Sequence, residues 1–204
     1  MLTPSIKAGL HLSLLLLLLP GCATRGVERP DLRTLNWELH RQQLTALQAW
    51  QLNGRIAIRI DREGWSGSLS WQQYERDYQL RVTAPLGQGG FELNGGDGGV
   101  TMRTSENQIL QAEDAETLLQ ENMGWKIPVQ AFGYWVRGLP QPDAGIDTLR
   151  LDEQGRLSHL SQEGWVINYT GYLQSGGYQL PRKVLLRNGT IEVRLLVLAW
   201  GFPS

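Results

Sequence analysis

Cysteine, histidine and clustered positive charge are all scarce in this sequence of 204 residues. Its single cysteine, Cys22, excludes an internal disulfide. Basic residues number 19 against 20 acidic ones and form no basic tract, so nucleic acid is not an expected partner. No apolar run reaches the ~20 residues that a membrane-spanning helix needs. We therefore expect no membrane span in the mature chain.

The residue patterns of common catalytic and metal sites are also missing. After the N-terminal segment the only histidines are His40 and His159, and no Cys and His cluster could ligate zinc. Residues 64–67 (Gly-Trp-Ser-Gly) lack the spacing of a nucleophile elbow. The glycines of residues 87–90 miss the dinucleotide pattern, because Glu92 stands where the third glycine is required. We therefore expect no enzyme, no metal and no cofactor other than covalent lipid.

The N-terminus has the outline of a secretory signal. Lys7 precedes an apolar stretch over residues 12–19 that ends in six consecutive leucines. Residues 19–22 (Leu-Pro-Gly-Cys) resemble the bacterial lipobox, whose cysteine receives lipid. This pattern predicts a signal peptide over residues 1–21 and diacylglyceryl and N-acyl groups on Cys22. The alternative is a chance cysteine beside an ordinary signal peptide.

Cleavage there predicts a mature chain of 183 residues (204 minus 21) with 18 basic and 20 acidic groups, a formal charge of −2. Ala23 follows the cysteine, whereas an aspartate there favours inner-membrane retention in enterobacterial lipoproteins, so the outer membrane is favoured. Residues 22–35 contain Gly26 and Pro30 and are predicted to form a tether. Residues 36–204 are predicted to form a single domain that starts with a helix.

Alternating apolar and polar residues dominate that domain. From Trp50 to Ile60 the even positions are mostly apolar and the odd positions mostly polar, which predicts a half-buried strand. The pattern recurs between turn signals such as residues 95–99 (Gly-Gly-Asp-Gly-Gly) and 188–189 (Asn-Gly). Helical spacing replaces it over residues 112–136. The predicted fold is mainly β with α, a meandering antiparallel sheet with a helical insertion.

The eight tryptophans, all after Cys22, bear on what the apolar face of this sheet covers. Two or three short helices cannot cover the apolar face of about ten strands at native packing density. Either the tryptophans fill the core of a compact barrel, or the sheet curls around a lipid-sized hollow and they form its walls. The composition leaves both possibilities open.

A series of motifs, in order along the chain, resembles the LolB family of outer-membrane lipoprotein receptors. They are residues 71–73 (Trp-Gln-Gln), 78–87 (Tyr-Gln-Leu-Arg-Val-Thr-Ala-Pro-Leu-Gly), 115–119 (Ala-Glu-Thr-Leu-Leu), 124–128 (Gly-Trp-Lys-Ile-Pro), 135–140 (Trp-Val-Arg-Gly-Leu-Pro), 151–157 (Leu-Asp-Glu-Gln-Gly-Arg-Leu), 165–172 (Trp-Val-Ile-Asn-Tyr-Thr-Gly-Tyr) and the closing strand up to Trp200. Together they cover nearly the whole mature chain.

The resemblance implies a curved antiparallel half-barrel of about eleven strands, covered by short helices and enclosing an apolar cavity. It also implies a monomeric receptor, lipid-anchored at the periplasmic face of the outer membrane. Such a receptor accepts lipoproteins from the periplasmic carrier LolA by binding their acyl chains, and inserts them into outer-membrane lipid. The carrier shares the fold but has no lipidated cysteine, so Cys22 favours the receptor.

By the same resemblance, Pro85, Leu86 and Gly87 form the membrane insertion loop, and Leu86 is its exposed leucine. From the residues alone, a single leucine in a glycine-rich loop is ordinary surface or folds back into the core. The resemblance reverses that expectation. Residues 88–90 (Gln-Gly-Gly) make the loop more glycine-rich than the family leads us to expect, which predicts greater mobility.

Trp71, Phe91, Trp135 and Trp165 are the expected walls of the acyl-chain cavity, although alternation does not say which face curls inward. Two other functions stay open. One is a lipid-anchored binding protein for a small apolar molecule. The other is a structural assembly lipoprotein that binds protein partners through its sheet edges, and a filled interior would favour it.

Overall fold

Thirteen strands and three helices are formed by the residues that the computed structural model describes, 31–85 and 89–203. The helices are α1 (Leu32–Thr45), α2 (Ala115–Met123) and α3 (Val129–Trp135). The strands are β1 (Ala49–Ile60), β2 (Glu63–Tyr74), β3 (Asp77–Thr83), β4 (Gly90–Gly96), β5 (Gly99–Thr104), β6 (Ile109–Ala112), β7 (Ile146–Leu151), β8 (Leu157–Gln162), β9 (Trp165–Tyr169), β10 (Tyr172–Ser175), β11 (Tyr178–Pro181), β12 (Lys183–Asn188) and β13 (Ile191–Gly201).

Eleven of these strands form one antiparallel sheet in the order β6-β5-β4-β3-β2-β1-β13-β12-β9-β8-β7. β1 and β13, the first and last strands of the chain, pair with each other in the middle of the sheet. β6 and β7 lie at opposite edges and do not pair, so the sheet stays open. The predicted half-barrel of about eleven antiparallel strands is confirmed.

The helical insertion connects the two edges of the open sheet. β6 ends at Ala112 on one edge and β7 begins at Ile146 on the other, so the chain between them must cross the concave side. The sequence places α2 and α3 there, and α2 packs against β5 and β6. The predicted insertion over residues 112–136 is therefore confirmed, and the order of the strands makes it a cover over the inner face.

The inner face of the sheet is set by the apolar alternation. In β1 the side chains of Trp50, Leu52, Ile56 and Ile58 are buried, whereas Arg55 is exposed on the outer face. The register shifts between residues 53 and 54, where the strand forms a β-bulge. A Cβ atom on residue 54 would lie 2.5 Å from the Leu196 carbonyl oxygen, so this bulge requires glycine.

Helix α1 begins earlier than the sequence analysis predicted, at Leu32 rather than near Asn36. The Asp31 carboxylate caps it by accepting a hydrogen bond from the Arg33 backbone N–H at 3.2 Å. Four residues assigned to the tether are thus helical. The short strands β6, β10 and β11 were not predicted either, because each has only four residues and too few alternating apolar positions to give a strand signal.

A partly buried histidine lies on α1. Among the described residues, His40 Nε2 is buried and has no hydrogen-bond partner, and its ring packs against Trp37 and Tyr172 at centroid distances of 6.5 and 6.4 Å. Burial lowers the pKa of His40, the nearby Arg156 lowers it further, and Asp152 opposes the shift. The folded state therefore favours the uncharged imidazole.

We expect His40 to make the protein less stable in mild acid. Because its pKa is lower folded than unfolded, the unfolded chain binds the extra proton, and stability is lost as the pH falls through the ordinary value of 6.5. In His40→Phe the unfolding free energy should fall less between about pH 8 and pH 5 than in the wild type. Urea unfolding at both pH values measures this, and equal losses in the two proteins would contradict it.

Candidate functional site

A narrow apolar pocket lies between the helical insertion and the concave face of the sheet. Its volume is about 40 Å³, small beside the roughly 300–1,000 Å³ of small-molecule sites. Its lining consists only of apolar side chains, namely Ile56, Ile58, Leu69, Trp71, Leu80, Val82, Phe91, Leu93, Leu119, Trp125, Ile127, Val129 and Phe132. We call it the inner pocket. The expected hollow is therefore largely closed in this structure.

A much larger cavity, the outer cleft, opens beside α2 and α3 and has a volume of about 770 Å³. Its apolar wall includes Trp135 and Trp165, whose rings lie 5.8 Å apart. Polar and charged side chains also line it, namely Glu116, Thr117, Gln120, Glu121, Lys126, Gln141 and Glu163. Its size falls within the roughly 300–1,000 Å³ of small-molecule sites.

The connector between α2 and α3, residues 124–128, lies where the linings of the two cavities meet. It has no regular secondary structure. Among the described residues, its Ile127 lines both the inner pocket and the outer cleft. Its Trp125 packs against Trp65 and Phe91 at ring-centroid distances of 5.6 and 6.0 Å. The connector therefore contributes side chains to both cavities.

Hydrogen bonds hold α3 to the sheet. The Trp135 Nε1–H donates to the Gln162 side-chain oxygen at 2.9 Å, and the Tyr169 hydroxyl donates to the Trp135 carbonyl at 3.0 Å. Burial raises the pKa of Tyr169 well above its ordinary value, which keeps the hydroxyl protonated as a donor. Gln162 is fully buried, and its amide nitrogen donates to the Gln141 and Ala144 carbonyls.

A buried arginine joins α3 to the end of α1. Arg137 donates through Nη1 to the carbonyls of Leu44 and Leu47 at 3.2 and 2.9 Å, and through Nε to the Gly133 carbonyl at 2.9 Å. Burial lowers the pKa of Arg137 to about 10, so the guanidinium stays charged at neutral pH. The positive charge of Arg137 is therefore stabilised by hydrogen bonds to backbone carbonyls.

Helix α2 and the connector are held differently. Within residues 31–85 and 89–203, no hydrogen bond joins residues 115–127 to the sheet. Leu118 and Leu119 of α2 are buried, and the Glu116 carboxylate accepts a hydrogen bond from the Gln130 backbone N–H of α3 at 3.4 Å. Gly124 ends α2 in the left-handed conformation at φ +72°, which frees the connector to turn away from the helix axis. The insertion thus combines a helix that is hydrogen-bonded to the sheet, α3, with a part that contacts the sheet by apolar packing.

Comparison with known proteins identifies the family. The family model for outer membrane lipoprotein LolB matches residues 48–200. The chain belongs to the LolB family. It is 39% identical over 186 residues to the outer-membrane lipoprotein LolB of Pseudomonas fluorescens, with 90% of each chain covered. It is 42% identical over 164 residues to that of Pseudomonas aeruginosa PAO1, with 80% of each covered.

A solved structure agrees with the fold. A domain from Vibrio parahaemolyticus, described as part of an outer membrane lipoprotein-sorting protein, aligns with a TM-score of 0.52 at 7% identity, over 84% of this chain and 93% of its own. At that identity the likeness supports the fold alone. Membership of this family identifies the protein as a lipid-anchored lipoprotein of the outer membrane that serves lipoprotein localisation. The LolB family is not known for enzymatic activity.

The structure separates the four aromatic residues predicted to line one cavity. Trp71 and Phe91 line the inner pocket, whereas Trp135 and Trp165 line the outer cleft. Pro85 is exposed at the end of β3. Cys22, Leu86 and Gly87, the other predicted site residues, lie outside the described residues. The two pairs therefore lie on opposite sides of Ile127.

Several residues that shape this LolB-family site were not identified from the sequence. Ile127 and Trp125 fall in a short apolar segment without a helical or strand period, so no sequence pattern marked them as cavity-lining residues. Gln162 occupies a buried position at which alternation predicts an apolar residue, and that mismatch was the available signal. Arg137, a charge in an otherwise apolar run, gave a similar signal.

Two features are absent from residues 31–85 and 89–203, the part of the chain that the structure describes. There, no group of three or more His, Cys, Asp or Glu side chains could hold a metal ion. In the same residues no helix is both long and apolar enough to cross a membrane.

Proposed function

We propose that this LolB-family protein receives lipoproteins from the periplasmic carrier LolA by binding their acyl chains, and inserts them into the outer membrane. The observation that supports this most is the pair of cavities that share Ile127 in their linings, beneath a cover of which α3 is hydrogen-bonded to the sheet. Acyl chains enter through the outer cleft. The connector then moves and gives them access to the inner pocket.

Burial of methylene groups drives the transfer. Each buried methylene contributes about 0.8 kcal/mol, so release of the acyl chains into water would cost tens of kcal/mol of free energy. The chains must therefore pass directly from one site that excludes water to another. The inner pocket is wholly apolar and suits such chains, but at about 40 Å³ it must expand to hold them. Binding therefore requires Trp125 and Ile127 to leave their closed positions.

The closed interior also helps the chains to leave. In the structure Trp125 packs on Trp65 and Phe91, so the closed interior exposes little of its apolar lining. Opening loses these contacts, which lowers the net affinity for acyl chains below the value that their burial alone would give. The receptor accepts chains because it binds them more tightly than the carrier does, and it releases them to the bilayer without a nucleotide.

The anchor keeps this site beside its target. In this proposal residues 1–21 are a signal peptide, Cys22 carries diacylglyceryl and N-acyl groups, and a tether leads to the single folded domain, which acts as a monomer. Pro85, Leu86 and Gly87 form the loop that contacts outer-membrane lipid during insertion. Trp71 and Phe91 contact the deep parts of the acyl chains, and Trp135 and Trp165 contact the parts nearer the entrance.

A transfer assay tests the acceptance step. The mature chain with Cys22→Ser, which lacks its own acyl anchor, is mixed with carrier loaded with a labelled lipoprotein, and the cargo on each protein is measured. Label should move to the receptor. If none moves, the receptor function is wrong, and the nearly filled interior then favours an assembly lipoprotein. Binding of a small apolar dye without cargo transfer would favour the small-ligand alternative.

Filling the outer cleft should block acceptance. Ala144 lines the cleft, and a tryptophan there would occupy the entrance while its carbonyl still accepts from Gln162. Excluding about two methylenes of cargo would weaken binding about tenfold. Ala144→Trp should therefore lower cargo acceptance at least that much in the transfer assay. The control Ala199→Trp, at an exposed position on β13, should accept cargo normally. Normal acceptance by Ala144→Trp would contradict entry through this cleft.

A further inference from the structure

The outer face of the sheet carries a groove that the proposed handling of acyl chains does not use. Its volume is about 640 Å³, and it crosses β2, β1, β13 and β12. Small and aliphatic side chains such as Ala57, Ser66, Ser68, Leu185 and Leu196 line it. Pro85, the first residue of the proposed insertion loop, is also part of its wall.

Three cationic side chains surround this groove. Arg55 on β1 and Lys183 on β12 both pair with Leu196 of β13, one from each side. Since neighbouring strands lie about 4.8 Å apart, the backbones of Arg55 and Lys183 are roughly 10 Å apart. Arg194 lies two residues from Leu196 on the same face and also lines the groove. Side chains of this length can converge on one anionic group between them.

The charge of Arg55 and Lys183 is not neutralised by the protein. Among the described residues, neither forms an ion pair with an acidic side chain. Glu192, a nearby carboxylate on this face, is covered by Arg187 at 2.7 Å, Arg194 at 2.7 Å and Arg59 at 3.3 Å. Three arginines around one carboxylate leave the face with a net positive charge.

We propose that this groove binds the phosphate of an anionic phospholipid headgroup at the membrane surface. The cations attract the phosphate, and the hydroxyl groups of Ser66 and Ser68 are suitable hydrogen-bond donors. The small aliphatic lining accepts the first carbons below the headgroup. Because Pro85 is shared between the groove and the loop, a lipid bound here holds the loop against the bilayer. The last step rests on the proposed function, which places the loop at a membrane.

Vesicle binding of a charge variant tests this proposal. The probe is the mature chain with Cys22→Ser, and the vesicles are phosphatidylcholine alone or phosphatidylcholine mixed with phosphatidylglycerol. Each cation near an anionic surface contributes about fivefold in affinity, so Arg55→Gln with Lys183→Gln should bind the mixed vesicles about 25-fold more weakly. Binding to phosphatidylcholine alone should not change. Arg194 is left intact because it holds Glu192.

A matched pair of substitutions separates the groove from total charge. Arg103 on β5 and Arg150 on β7 are exposed cations elsewhere on the sheet. Arg103→Gln with Arg150→Gln removes the same charge and should change binding by no more than about twofold, because distant exposed charges are screened. Exchange of the cations in Arg55→Lys with Lys183→Arg should retain binding. Equal weakening by both glutamine pairs, or no weakening by the groove pair, would overturn the proposal.

Cargo acceptance from the carrier, measured in the same proteins without vesicles, keeps this result apart from the proposed function. The groove variant should accept cargo as the wild type does. If the wild type accepted no cargo, the proposed function would be wrong, and the vesicle comparison would still test phosphate binding in the groove. Urea unfolding of each variant shows whether it is folded, so a misfolded pair is recognised and replaced by the single substitution Lys183→Gln.

Discussion

Leu86→Glu is expected to abolish delivery of cargo into vesicles while leaving cargo acceptance unchanged. The proposed insertion loop begins at Pro85, which is exposed and lines the cationic groove on the outer face. Burial of a leucine side chain in an apolar environment contributes about 1.5–3 kcal/mol. A glutamate loses that contribution and adds a charge that anionic lipid repels, so delivery should fall by about a hundredfold.

Delivery is measured by adding receptor loaded with labelled lipoprotein to vesicles and following the label into the membrane fraction. Acceptance from the carrier is measured separately in solution. Because Pro85, the described residue next to it, lines the outer-face groove and neither the outer cleft nor the inner pocket, the variant should load with cargo as the wild type does. We expect the Leu86→Glu receptor to carry cargo but to transfer none to the vesicles.

Two control variants make this result specific. Leu86→Ile keeps an apolar side chain and should deliver cargo normally. Ile109 on β6 is 58% exposed, so Ile109→Glu replaces another surface apolar residue by the same charge, away from the loop. It should also deliver normally. Undiminished delivery by Leu86→Glu removes this leucine from the mechanism, and equal loss in Ile109→Glu assigns the effect to charge alone.

Alternation along the strands was enough to predict most of the sheet. The buried positions of β1, from Trp50 to Ile58, follow the even-numbered pattern, and β12 and β13 form the expected hairpin. Its turn lies at Gly189 and Thr190, one residue later than predicted, because Asn188 still pairs with Ile191; Gly189 has φ +54°. Local patterns could not predict that β1 pairs with β13, because the partners are more than 130 residues apart in the chain. That pairing puts β6 and β7 at opposite edges and so sets where the insertion lies.

The candidate site was less predictable than the fold. Aromatic residues could be nominated as cavity walls, but Trp71 and Trp135 belong to different cavities because the connector passes between them. Trp125 packs on Trp65 and Phe91, which brings together three segments that are distant in the chain. The spacing of apolar residues within one segment cannot predict such a contact. The sequence left open whether the tryptophans fill a core or line a hollow, and the structure shows both uses. Trp50 is packed between Trp71 and Trp200, at 5.2 and 5.6 Å.

In the proposed function, the contrast between α3 and the connector lets one fold be both closed and able to open. A receptor that exposed its whole apolar lining would risk aggregation, since large exposed apolar patches favour association. Closure by Trp125 and Ile127 would avoid this, and among the described residues opening would break no hydrogen bond between residues 115–127 and the sheet. The fixed part, α3, would then define one wall of the entrance throughout.

That fixed wall depends on Arg137, so Arg137→Ala is expected to be strongly destabilising. Its guanidinium supplies the hydrogen bonds to the carbonyls of Leu44, Leu47 and Gly133, and it packs over Trp50 and Tyr134 at 5.7 and 5.2 Å. Leaving buried carbonyls unpaired destabilises by about 1–3 kcal/mol, and the space left by the side chain adds to this. We expect a total loss of about 3–4 kcal/mol.

Urea unfolding, followed by tryptophan fluorescence at pH 7, measures this loss. Two further variants assign its cause. Arg137→Met fills much of the volume without donating hydrogen bonds and should recover little, whereas Arg137→Lys can still donate to one or two carbonyls and should lose about 1 kcal/mol. Removing a buried charge also removes its desolvation penalty, which in other proteins has offset lost hydrogen bonds. If Arg137→Met is as stable as the wild type, that offset dominates here, and packing rather than the buried hydrogen bonds joins α3 to α1.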